Sequence, residues 1–183
     1  MNDHQSLINM LIQAEGNIPY LYLDTRGLVT VGIGHMLADP VAATKLPFKR
    51  TDGLTASSTE IQNEFRTVKA QEPAHVASYY KPFTKLHLEA DAVMALLNAD
   101  IAATEKSVTT QYAGYPTYPN SPQDALCDMC FNLGPGGLKK YTKLRAAAEL
   151  KDWKACADEC HRNGVSDQRN AQTRQLFLDA ANA

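Results

Sequence analysis

The chain has 183 residues, with 18 Lys plus Arg against 20 Asp plus Glu, a formal charge of −2. Hydrophobic residues make up 44% and charged residues 21%, a globular composition that excludes wholesale disorder. The near-neutral balance argues against a general nucleic-acid binder, and no apolar run approaches the ~18 residues a membrane span needs.

Leu7, Ile8, Leu11 and Ile12 recur at helical spacing, so residues 4–14 read as an amphipathic helix. Gly16, Asn17 and Pro19 stop it. Glu15 falls at its C-terminal edge, where the helix dipole is negative. Tyr20 to Leu23 and Val29 to Ile33 are short alternating runs around Asp24-Thr25-Arg26-Gly27, the pattern of a β-hairpin. Thr30 lies on the strand face opposite Val29 and Val31. Ser57 and Glu60 have capping-box spacing, and Ile61, Phe65 and Val68 follow as an apolar stripe. Val93, Leu96, Leu97, Ile101 and Val108 mark a longer helix over roughly 88–109. Residues 111–122, rich in Tyr and Pro, read as a loop. Leu126, Met129, Cys130 and Leu133 predict a helix closed by Gly134-Pro135-Gly136-Gly137. Shorter helices are expected around 144–150, 153–161 and 168–180. The fold class is α+β, mostly helical: a small N-terminal β-containing lobe joined to a helical C-terminal lobe. A cleft between lobes is a natural ligand site.

Glu15, Asp24 and Thr30 stand nine and six residues apart, on a helix end, a turn and a returning strand. Glycoside hydrolysis needs two carboxyls with opposite duties, a proton donor and an ionised partner. Glu15 at the helix end suits the donor, Asp24 in a polar turn suits the ionised role, and Thr30 could hold a water beside Asp24. On spacing alone, a Glu and an Asp nine apart are more often solvated surface groups.

The surrounding residues change that balance. Glu15-Gly16, Tyr22-Leu23-Asp24-Thr25-Arg26-Gly27 and Thr30-Val31-Gly32-Ile33-Gly34-His35 resemble the phage-type lysozymes, glycoside hydrolase family 24. The family pattern of Glu, eight residues, Asp, five residues, Thr is matched at both spacings. Leu97 to Asp100, Ala125 to Gly134, Trp153 and Arg169 to Phe177 extend the likeness. The resemblance implies a single lysozyme-like domain with two lobes. Residues 1–85 would form the N-terminal lobe, 86–109 the interlobe helix and 110–183 the helical C-terminal lobe. Residues 39–85 are longer than the resemblance requires and read as an insertion.

It also implies a muramidase that cuts the β-1,4 bond between N-acetylmuramic acid and N-acetylglucosamine in peptidoglycan, with no cofactor or metal. Glu15 is then the general acid, Asp24 its partner carboxylate and Thr30 the residue beside the attacking water. Met36, Phe131 and Asn132 match positions that line the saccharide cleft. Arg169 is the best match, and Arg174 the second, for the arginine that pairs with the acid. Inversion is favoured by resemblance only. His35, beside a Gly-rich strand, reads as a structural supporting residue rather than a base.

Other features admit plain readings. Leu138 to Arg145 carries four positive charges and no acid, either a solvated face or a docking patch for an anionic wall. The four cysteines, Cys127, Cys130, Cys156 and Cys160, are too sparse for a disulfide scaffold. They read as core residues, with a Cys130 disulfide to Cys156 or Cys160 as an alternative and a zinc site discounted. Tyr112, Tyr115 and Tyr118 either stack on sugars or cover the core, and Trp153 reads as core. Met1 to Gln5 lacks the basic and long apolar segments of a secretory signal. The expected partners are peptidoglycan glycan strands and, for a delivered toxin, an inhibitory immunity protein. A monomer is expected, made in the cytoplasm and acting on the wall in the periplasm or outside the cell. The setting is that of a phage endolysin or a delivered effector. An inactive wall-binding module and a lytic transglycosylase are the alternatives; retention of Glu15, Asp24 and Thr30 together argues against both.

Overall fold

The computed structural model describes residues 4–182. The signal-peptide reading therefore falls partly on residues, Met1 to Asp3, outside the described range. The chain divides into two compact units, one of residues 15–99 and one of residues up to 14 together with 100 onward.

Helix α1 (Gln5–Glu15) buries Leu7, Met10 and Leu11, as its spacing predicts. Strands β1 (Ile18–Leu23), β2 (Val29–Gly32) and β3 (His35–Met36) form an antiparallel sheet in that order. The hairpin is where the alternation placed it. The third strand has two residues, too few to leave a periodic signal. It exists because Gly32 (φ 68°) and Gly34 (φ 74°) reverse the chain through the left-handed region, which glycine enters without a Cβ clash.

Residues 39–85 form a folded segment. Helix α2 (Pro40–Ala43) starts on Asp39, whose carboxylate accepts the Ala42 N–H at 2.7 Å. After β4 (Lys49–Arg50) comes α3 (Ser58–Lys69), opened by the expected capping box: Ser57 N–H donates to Glu60 Oε2 at 2.7 Å and Glu60 N–H to Ser57 Oγ at 3.3 Å. Helix α4 (Ala77–Tyr80), a 3-10 turn (Lys81–Phe83) and β5 (Leu86–His87) complete it, with β5 paired to β4. Buried Glu64 accepts the N–H groups of Lys85 at 2.6 Å and Leu86 at 3.2 Å, joining α3 to β5. Val68, Phe65 and Ile61 of α3 are buried, as are Leu21, Val31 and Leu88.

Helix α5 (Ala90–Thr109) leads into the second unit, which holds α6 (Asn120–Leu138), α7 (Thr142–Glu149), α8 (Trp153–Glu159) and α9 (Asp167–Ala181). Helix α6 begins inside the segment expected to be loop. Pro122 falls in its first turn, where the missing N–H leaves no intrahelical bond broken, so proline is no barrier there. The Gly-Pro run kinks α6 at Gly134 (φ 69°, ψ 166°), and helical turns resume to Leu138. Tyr112, Tyr115 and Tyr118 are buried, and Tyr118 meets the Trp153 edge at 5.0 Å. These tyrosines cover the core; their burial overturns the sugar-stacking alternative. His4 bridges Asp124 (2.7 Å) and Glu105 (3.0 Å), tying the start of α1 to α6 and α5.

All four cysteines are buried with free thiols, so the Cys130 disulfide is absent. Burial pushes Cys127 and Cys156 up to about 12, and Cys130 and Cys160 up to about 11. Thiols held that high are protonated and poorly nucleophilic at neutral pH. In the basic stretch, Lys139, Lys140 and Lys143 are exposed, and Lys143 lies 3.8 Å from Glu159.

Candidate active site

Asp24 opens the five-residue connection between β1 and β2 and holds it together. Its Oδ1 accepts the N–H groups of Arg26 at 2.9 Å and Leu28 at 2.8 Å, while its backbone exchanges bonds with Leu28 and Gly27. This is the Asx-turn logic that favours aspartate at such positions. Its Oδ2 meets the Arg26 guanidinium at 3.3 Å, and that arginine is largely solvated, so the ion pair is weak. One oxygen is therefore committed to the turn and the other stays accessible. Gly27 completes the turn at φ 73°, and its carbonyl accepts Lys69 Nζ at 2.6 Å, pinning the turn to the end of α3.

Directly paired residues of an antiparallel sheet share a face. The register sets Tyr22 opposite Thr30 and Thr30 opposite Met36, so these three form one row across the sheet. Thr30 is 3% exposed and Met36 49%. The Thr30 hydroxyl donates to Leu28 O at 3.1 Å, so its lone pairs are left to accept from another donor, such as a water. His35 pairs with Val31 and so belongs to the opposite face, away from this row.

Glu15, the last residue of α1, is half-buried against the β2–β3 turn. A Cβ at Gly34 would lie 3.3 Å from its Cγ and 3.4 Å from its Oε2. The charges of Glu15 and Asp24 both act on the Tyr22 phenol. With burial as the larger cause, they hold it up to about 12. Glu15, Asp24, Tyr22 and Thr30 thus belong to one neighbourhood. The sequence reading missed Tyr22. The signal that finds it is register: Tyr22 stands two residues before Asp24, across from Thr30.

The remaining predicted residues lie in the helical unit. Phe131 is half-buried and Asn132 exposed on α6. Arg169 is buried, with Nε at 2.9 Å and Nη2 at 2.8 Å from Asp128 Oδ1. Asp128 is fully enclosed. Its Oδ2 also accepts from Arg162 Nη2 at 2.6 Å and Thr173 Oγ at 2.7 Å. Asn170 clasps the backbone of Arg162, accepting its N–H at 3.0 Å and donating to its carbonyl at 2.9 Å. Arg162, in the connection after α8, carries no periodic signal and escaped the sequence reading. Arg174, the second choice for the acid's partner, instead makes an exposed pair with Asp158 at 3.2 Å. Among the described residues, no group of three or more His, Cys, Asp or Glu converges as a metal site. No helix among them is long and apolar enough to cross a membrane.

Comparison with known proteins bears on this arrangement. Residues 12–174 match the family described as phage lysozyme. A relative in Dictyostelium discoideum, a probable T4-type lysozyme 2, is 26% identical over 172 residues, covering 94% of this chain and 91% of that protein. The crystal structure of a P22 lysozyme mutant, L86M, superposes with a TM-score of 0.60 at 21% identity. It covers 97% of this chain and 99% of the other, a likeness of fold.

Proposed function

The chain belongs to the phage lysozyme family, and from that premise we propose that it hydrolyses the β-1,4 bond between N-acetylmuramic acid and N-acetylglucosamine in peptidoglycan. Muramidase-type glycoside hydrolysis follows from family membership. The residue roles are our own assignment. Glu15 gives its proton to the glycosidic oxygen as the bond breaks. Asp24, ionised, and the Thr30 hydroxyl orient the water that attacks the anomeric carbon. The Thr30 proton is engaged by Leu28 O, so its oxygen accepts a hydrogen bond from one O–H of that water; that hydrogen stays on the new anomeric hydroxyl, and the water's other proton passes to Asp24. Met36, beside Thr30 on the sheet, is assigned as a saccharide contact by the family resemblance, and so are Phe131 and Asn132 of α6. Arg169 and His35 are assigned as supporting residues by the family resemblance.

The observation that supports this reading best is geometric: Glu15 packs against the β2–β3 turn of the sheet whose register sets Tyr22 opposite Thr30, beside the turn that Asp24 holds. A wall-binding module has no use for an acid and a water-holding pair in one place. A transglycosylase makes no use of an attacking water. We assign the enzyme to the bacterial wall as a monomer, acting as an endolysin or a delivered effector, the latter with an inhibitor protein.

The test is a muropeptide digest. Wild type should release fragments with reducing ends, while Glu15→Gln should lose at least about 10²-fold in rate with its fold intact. Anhydro ends, lighter by one water, would identify a transglycosylase. Near-normal lysis by Glu15→Gln would reject the assignment.

A further inference from the structure

We propose that the insertion carries a second saccharide-binding site, separate from the catalytic row, that holds a distal stretch of the same glycan strand. This rests on the peptidoglycan reading above.

The site is a trough of about 670 Å³ enclosed by β4, α3, the 3-10 turn and β5. One wall is a single face of α3: Glu60, Asn63, Glu64 and Thr67, spaced as neighbours on a helix. The other wall is apolar, from Pro82, Phe83 and Leu86. Phe83 also ends an aromatic ladder along the surface. His75 stacks on Tyr79 with centroids 4.0 Å apart and planes 21° from parallel, and Tyr79 meets Phe83 at 5.8 Å. Tyr79 is 37% exposed and Val76 beside it 74%. This is an open aromatic strip leading into a polar trough.

Pyranose rings present an apolar C–H face and a rim of hydroxyls. An aromatic face covers the former, and carboxylate and amide groups bind the latter. The charge pattern favours a neutral, hydroxyl-rich ligand over an anionic one. Arg50 is already engaged by Asp52 at 2.8 Å and Glu60 at 3.6 Å; Lys85 is the lining's other cation, and the two stand against the three carboxylates of Asp52, Glu60 and Glu64, so the lining offers no net positive field to an anion.

The trough is not an extension of the catalytic row. Lys69, which reaches the Asp24 turn through Gly27, stands about 200° around α3 from Thr67. The trough-lining face therefore points away from that turn. Within the unit, Lys81 lies over the Tyr20 ring at 4.4 Å, fixing the 3-10 turn to the strand that carries Tyr22. A strand held at both places is retained after each cleavage, which raises affinity for polymer without changing the chemical step.

The test uses the full chain carrying Tyr79→Ala with Asn63→Ala, two exposed positions outside the catalytic row. Placed on a Glu15→Gln background, this pair should weaken retention on purified sacculi about five- to tenfold. On the wild-type background it should raise KM for sacculi while kcat and the melting temperature hold. N-acetylglucosamine hexamer should perturb the NMR signals of Asn63 and Phe83 in the Glu15→Gln protein. Unchanged retention of the double variant overturns the second site, as does perturbation of those signals by stem tetrapeptide but not by hexamer. Failure of wild type to release muropeptides instead defeats the muramidase reading, so the two failures are distinguishable.

Discussion

The Glu15 carboxyl rests against the Cα of Gly34, so closely that a Cβ at position 34 would fall 3.4 Å from Oε2. Glycine is required there twice, once for its φ of 74° and once for that approach. Gly34→Ala should therefore lower both stability and lysis. The control is Gly53→Ala. Gly53 has a similar φ of 81° but nothing within 4 Å of an added Cβ. Both variants should lose about 1 kcal/mol from backbone strain. Only Gly34→Ala should also cut the lysis rate, by about tenfold, as the acid is displaced. Equal lysis rates in the two variants would show that the Glu15 contact is without consequence.

Asp24 does two jobs that substitutions can separate. Asp24→Asn keeps an oxygen for the Arg26 and Leu28 N–H groups, so the turn should survive while the charge is lost. Asp24→Ala removes the acceptor as well and should cost about 1–2 kcal/mol. Lysis should collapse in both, whereas only the alanine variant should unfold at lower urea. Full lysis by Asp24→Asn would restrict Asp24 to the turn.

The enclosed carboxylate of Asp128 is predicted to be the most sensitive polar site of the helical unit. Asp128→Ala leaves the fully buried Arg162 and the buried Arg169 without their shared counter-charge, a loss of about 3–5 kcal/mol. Arg174→Ala, which breaks only an exposed pair with Asp158, should change stability by less than about 0.5 kcal/mol. Chemical unfolding of the two variants checks the contrast.

The buried acids of the helical core make the protein alkali-sensitive. Cys127 and Cys156 titrate near 9.0 when unfolded and near 12 when folded, and burial raises Tyr112, Tyr115 and Tyr118 as well. Between those values the unfolded chain holds fewer protons than the native one, so stability falls as pH rises. The contribution is complete below pH 9.0 and drains away toward pH 12. The melting temperature should decline across that window. A flat profile would mean that these groups are more solvated than their burial implies. At pH 7, thiol reagents should label the cysteines only after unfolding.

Local patterns carried much of this protein in the sequence itself. The α1 stripe, the alternation around Asp24 to Gly27, the Ser57–Glu60 cap and the Glu15, Asp24, Thr30 spacing depend on neighbours within a few residues, where backbone periodicity and turn chemistry act directly. Only tertiary structure decided the rest. The strand at His35–Met36 exists through its pairing with β2, and Tyr22 joins the proposed catalytic neighbourhood through register across the hairpin. The segment of residues 39–85 is closed by β4–β5 pairing and by Glu64 reaching residues 85 and 86. The Asp128 cluster gathers side chains from α6, the connection after α8, and α9. The tyrosines of the 111–122 segment could be read as sugar contacts or as core cover, because composition reports local polarity, not what a folded helix bundle needs to cover its interior. Each of these turns on contacts between residues far apart in the chain, and such contacts leave no periodic mark for a sequence to display.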